Sequence, residues 1–144
     1  MSELPSTARA GLATALDRVG DRWALLLVES LLGGPRRYSD LKRDLPTIAS
    51  NVLSERLRRL ELAGVVESQR YSARPPRAEY RLTAAGRGLA AVIDALDRWG
   101  GRDGAPGPIH PRCGTPMEPR FYCPTCDELV VPGEVTTDDE VVFA

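Results

Sequence analysis

The sequence contains no apolar run approaching the roughly 20 residues a helix needs to cross a bilayer. The stretch Ala24–Val28 ends at Glu29. Met1–Thr7 lacks the basic-then-apolar build of a secretory leader, so the expected location is cytoplasmic, with no membrane partner. Several catalytic signatures are missing as well. There is no Walker loop, no nucleophile elbow and no paired-glycine dinucleotide motif after a strand. Histidine occurs once, at His110, and the three cysteines, Cys113, Cys123 and Cys126, all lie beyond it. No enzyme is expected.

What is present is an uneven distribution of charge. The 144 residues carry a formal net charge of −1. Residues 1–100 hold 16 Lys/Arg against 12 Asp/Glu, residues 101–144 hold 3 against 8, and residues 36–81 alone hold 11 against 6. A basic stretch hidden in a near-neutral chain is an electrostatic footprint whose meaning depends on where the arginines fall.

The pattern reads as mainly α with a small β-hairpin. Leu12, Ala15, Leu16 and Val19 recur at helical spacing, predicting an amphipathic helix over Thr7–Val19. Asp21 is placed to cap Arg22–Leu32, which Gly33-Gly34-Pro35 ends. Ser39 is expected to cap a short third helix ending before Pro46, and Ser50 a fourth running to about Ala63 and terminated by Gly64. Val65–Tyr71 and Ala78–Leu82 read as strands joined by the loop Ser72–Arg77. Thr83 is expected to cap a long last helix through Trp99, with Leu89, Val92, Ile93 and Leu96 on one stripe.

Short helix, turn, second helix and then a hairpin is the order of a helix-turn-helix followed by a wing. On Ser50–Ala63, Leu53, Leu57 and Leu60 share a face to bury, leaving Asn51, Ser54, Glu55 and Arg58 free to point outward. Asn and Arg side chains can pair with adenine and guanine edges in a major groove. Arg56 and Arg59 flank that face as phosphate candidates. Arg70, Arg74 and Arg77 lie on the hairpin, and Arg36, Arg37 and Ser39 at the start of the third helix, with Ser50 at the start of the fourth, complete the DNA-binding set. The partner this implies is double-stranded DNA. A winged helix used for protein interaction is the rival, disfavoured because interaction faces prefer apolar and aromatic residues.

Leu16–Trp23 (LDRVGDRW), Gly34–Leu41 (GPRRYSDL), Asn51–Glu61 (NVLSERLRRLE), Ala63–Val66 and Arg74–Thr83 (RPPRAEYRLT) together resemble the HxlR-type winged-helix regulators, in the same order along the chain. The resemblance implies a MarR-like fold that is dimeric through its terminal helices, and a prokaryotic repressor or activator. It also makes Ser39–Leu45 the supporting helix and Ser50–Ala63 the recognition helix. A homodimer would present two recognition helices to a pseudo-palindrome, and a small-molecule effector housed near the dimer helices is a further candidate partner. Many members look like Cys-Pro thirteen residues before the tryptophan, and some sense oxidants there. Here the position holds Ala10-Gly11, so that route is closed.

The remainder is a linker and a tail. Residues 1–99 form the expected DNA-binding and dimerisation domain, 100–108 (Gly/Pro-rich) the linker, and 109–144 a Cys/His tail. His110, Cys113, Cys123 and Cys126 are spaced as two short pairs, which suits structural zinc in a minimal ribbon. Open alternatives are Asp127 or Glu128 as the fourth ligand, a redox-active Cys123/Cys126 pair, or a tail without metal. The last stretch, Thr136–Ala144, is acidic.

Overall fold

The computed structural model describes residues 10–73, 76–101 and 107–130. The chain divides into two units, Met1–Asp97 and Arg98–Ala144. Residues 7–9, Arg74, most of the expected linker and Thr136–Ala144 lie outside the described residues.

In the first unit the element order is α1 (Ala10–Val19), α2 (Arg22–Leu32), β1 (Arg36–Arg37), α3 (Tyr38–Asp44), α4 (Ser50–Leu62), β2 (Val66–Ala73), β3 (Pro76–Leu82), α5 (Ala84–Arg87) and α6 (Ala90–Gly100), whose last turn crosses the unit boundary. The sheet is antiparallel in the order β1-β3-β2. Among the described residues the core is purely apolar: Leu27, Val28 and Leu31 of α2, Leu41 of α3, Ile48 of the turn after it, Leu53, Leu57 and Leu60 of α4, and Val65, Val66 and Leu82. Burial of one face of α4 orients everything it carries on the other.

The caps set the helix ends. Asp21 Oδ1 accepts from the amides of Trp23 and Ala24 at 3.0 and 3.1 Å, as its position before α2 predicts. Gly64, at φ 70°, ends α4 in the left-handed region that favours glycine. The Val65 and Gly64 amides then return to the Leu60 and Glu61 carbonyls in a Schellman closure.

Four expectations need correction. Ser39 does not cap α3: Arg37 is the N-cap residue, and its amide donates to Asp40 at 3.1 Å. Ser50 is the first helical residue of α4, after Ala49. The strands extend past the expected loop, so Ser72 and Arg77 pair with each other, and Tyr71 is bulged out of register. The last helix is split at Gly88-Leu89 into α5 and α6. Thr83 caps only the first piece, through the Gly86 amide at 3.1 Å.

In the second unit β4 (Phe121–Cys123) pairs antiparallel with β5 (Glu128–Val130), and Ile109 bridges Pro116. None of residues 107–130 is buried.

One contact joins α2 to α4 beyond the core. Arg56 Nε donates to the same Asp21 Oδ1 that caps α2, at 3.1 Å, with the arginine side chain only 20% exposed. Asp21→Ala removes the cap and strands a half-buried guanidinium. It is expected to lower unfolding free energy by about 1–2 kcal/mol. Asp21→Asn keeps a capping oxygen and is expected to cost less than half as much. Urea denaturation of the two variants measures both, and equal losses would mean the cap is not what Asp21 supplies.

Candidate nucleic-acid interface

The face of α4 opposite its leucines is exposed along its length: Asn51, Ser54, Glu55 and Arg58, with Arg59 beside them. Asn51 stands three and four residues before Ser54 and Glu55, which stand four and three before Arg58, so the four form one stripe. The stripe ends in Leu62, 76% exposed, an apolar group suited to a thymine methyl. Glu55 is an acceptor of the kind that pairs with a cytosine amino group. Arg58 and Arg59 make no ion pair among the described residues.

The first turn of α4 is pinned rather than free. The Tyr38 hydroxyl donates to the Ser50 carbonyl at 2.9 Å, and Ser54 Oγ reaches both that carbonyl and the Tyr38 hydroxyl. Lys42 Nζ donates to the Ile48 carbonyl in the turn between α3 and α4. These bonds tie α3 to α4, and neither Tyr38 nor Lys42 stands out in the sequence as part of the site.

Two of the predicted arginines are engaged by the scaffold. Arg56 is held by Asp21, with Glu55 at 3.6 Å on its other side. Arg36 donates to the Ser30 carbonyl at 3.4 Å and lies 3.9 Å from Asp44. The others gather at the wing. Arg37 of β1, Ser39 of α3 and Arg77 of β3 line one polar recess together with Tyr71. Arg37 lies over the Tyr71 ring, 5.2 Å from its centroid. The bulge brings Tyr71 to this recess, a placement that period-two alternation does not reveal. Below it, Asp40 accepts from the Arg37 amide and from Arg43, and these bonds hold its carboxyl below the ordinary range. Arg70 is exposed on β2. Basic and hydroxyl groups around a recess are the donors that phosphate oxygens require.

A model of the HxlR-like helix-turn-helix matches residues 18–106. The chain belongs to the HxlR-like helix-turn-helix family. The HTH-type transcriptional regulator Rv3095 of Mycobacterium tuberculosis is 40% identical over 130 residues, 86% of this chain and 82% of that one. The solved structure of PA1374 from Pseudomonas aeruginosa superposes with a TM-score of 0.67 at 32% identity, over 88% of this chain and 89% of that one. The redox regulator HypR in its oxidized form gives a TM-score of 0.61 at 32% identity, over 65% of this chain and 99% of that one. The chain is thus a DNA-binding transcriptional regulator of the HxlR-like kind and not an enzyme. Among the described residues no helix is long and apolar enough to cross a membrane.

The Cys/His residues lie in the other unit. His110 Nδ1 is 3.2 Å from Cys113 Sγ, and Cys123 and Cys126 share the turn that the Asp127 amide closes on the Cys123 carbonyl at 2.9 Å. All three thiols are free. Cys113 is held below the ordinary thiol range by the Thr115 hydroxyl and amide, and Cys123 by the amides of Cys126 and Thr125. Among the described residues no three such groups come together as a metal-holding cluster.

Arg37→Ala and Arg77→Ala are expected to weaken binding to any duplex alike. Each is expected to reduce the slope of log K against log salt by about one. Arg56→Ala should leave that slope unchanged while lowering stability. Fluorescence anisotropy across a salt series separates the two behaviours.

Proposed function

We propose that the chain is a repressor that binds a pseudo-palindromic operator as a homodimer. In this reading α4 enters the major groove, and the β2–β3 wing lies on the adjacent backbone or minor groove. The observation that carries it is the polar stripe Asn51–Ser54–Glu55–Arg58, exposed on a helix whose other face is locked into the core. Asn51, Glu55 and Arg58 read base edges. Arg37, Arg59, Arg70, Arg77 and Ser39 hold phosphates, and Arg74, between β2 and β3 in sequence, is assigned the same role, as is Arg36.

The dimer reading is supported by what the single chain leaves uncovered. No residue of α6 is buried. Val92, Leu96 and Trp99 of α6 are exposed, Trp99 at 86%, and so are Leu12 and Leu16 of α1. A groove of about 430 Å³, lined by Ala15, Val19, Ala63, Val65 and Leu89 among others, runs beside α1. A second copy of the chain covers these faces isologously. Sensing by a thiol near α1, of the kind a redox regulator invites, has no residue to use, because α1 begins at Ala10 and holds no cysteine. The second unit, in the same reading, is a zinc-ribbon-like appendage.

Selection of bound genomic fragments with the purified protein is expected to return an inverted repeat with half-sites one helical turn apart. On that operator Arg58→Ala is expected to cost about 1–3 kcal/mol and to relax preference at one base pair per half-site. A selected site without two-fold symmetry would remove the dimeric reading. Leu96→Asp is expected to shift the sedimentation coefficient to that of a monomer and to weaken operator binding.

A further inference from the structure

The second unit contains two turns of one construction. His110-Pro111-Arg112-Cys113-Gly114 and Cys123-Pro124-Thr125-Cys126-Asp127 each run through a ligand-type residue, a proline, a spacer, a cysteine and a residue in the left-handed region. Gly114 has φ 69° and Asp127 φ 58°, Asp127 being the one non-glycine residue with positive φ among the described residues. In both turns the fifth amide closes on the first carbonyl: Gly114 to His110 at 2.8 Å, and Asp127 to Cys123 at 2.9 Å. Each turn closes a strand pair, one at the Ile109–Pro116 bridge and the other at β4–β5. The i, i+3 spacing on such a turn sets two donors side by side. His110 Nδ1 accordingly lies 3.2 Å from Cys113 Sγ, and Cys123 and Cys126 hold the same two places on the other turn.

A second observation is independent of the turns. Residues 107–130 have defined hairpins but no buried side chain, while Ile109, Met117, Phe121, Tyr122 and Leu129 are exposed. Burial cannot hold so small a unit, and chains of this size are ordinarily held by a disulfide or a metal. The thiols are free.

We infer that His110, Cys113, Cys123 and Cys126 bind one zinc ion tetrahedrally, each turn supplying one pair of ligands. This inference rests on the ribbon reading of the second unit and deepens it by assigning the ligands and the ion. Each turn carries one pair, and the ion would join pair to pair; among the described residues no three of these donors stand together as a metal-holding cluster. Three thiolates and an imidazole are a soft set that selects zinc over magnesium or calcium. Four protein ligands leave no open position, so the site is structural. Of the other candidates for the fourth place, the Asp127 carboxylate already accepts from the Tyr122 hydroxyl at 2.5 Å, and Glu128 lies on β5, outside both turns. The binding energy supplies the order that the missing core does not.

The test uses the full chain purified without added metal. Elemental analysis is expected to find about one zinc per chain. Exchange with cobalt is expected to give the visible bands of tetrahedral thiolate coordination. Cys123→Ser and His110→Ala are expected to lose the metal, whereas His110→Cys retains it, with the cobalt bands moved to longer wavelength. Undiminished zinc in His110→Ala would overturn the ligand assignment. A metal-free chain lighter by two hydrogens would overturn the site in favour of a Cys123–Cys126 disulfide. Hydrogen exchange over residues 107–130 separates the two levels. Protected amides in a metal-free chain would sink the zinc site and keep the ribbon, and unprotected amides would sink both.

Discussion

Leu53, Leu57 and Leu60 carry the rest of the structure. Each is at most 1% exposed, and three buried leucines contribute several kcal/mol between them, at about 1.5–3 kcal/mol apiece. Their common face fixes the roll of α4 about its own axis, and therefore which residues face outward. Three polar links fix its remaining freedom: Arg56 to the Asp21 cap, Tyr38 to the Ser50 carbonyl, and Lys42 to the turn before it. The recognition surface is consequently preorganised, and little ordering cost is left to be met on contact with DNA.

The elements governed by local rules were readable from the sequence. Asp21 as a cap, Gly64 as a terminator and the leucine stripe each follow from a residue's own chemistry or from helical spacing, and the structure places all three as expected. The misreadings came where distant residues decide. Ser39 and Ser50 are good capping residues, yet β1 pairs with β3, Arg36 with Tyr80 and Arg37 with Glu79. That pairing holds Arg37 extended and makes it the N-cap of α3, two residues ahead of Ser39. A two-residue strand has no period to detect. Pro75-Pro76 suggested a loop, but Pro76 opens β3, the strand position where a missing amide matters least.

The candidate interface was legible in the same proportion. The outward stripe of α4 follows from the same spacing that buries the leucines. The sorting of arginines does not, because a carboxylate distant in sequence claims Arg56 and a carbonyl of the preceding helix claims Arg36. Tyr71 entered the wing recess through a bulge, which shifts a side chain out of the alternation that a strand pattern assumes.

The division of α4 into a held face and a bare face bears on how such a regulator diverges. Replacing Asn51, Glu55 or Arg58 touches no core atom, and exposed positions of that kind usually tolerate exchange within about 0.5 kcal/mol. Gene duplicates are therefore free to acquire new target sites by changing a few letters on an unchanged mount, without passing through an unfolded ancestor.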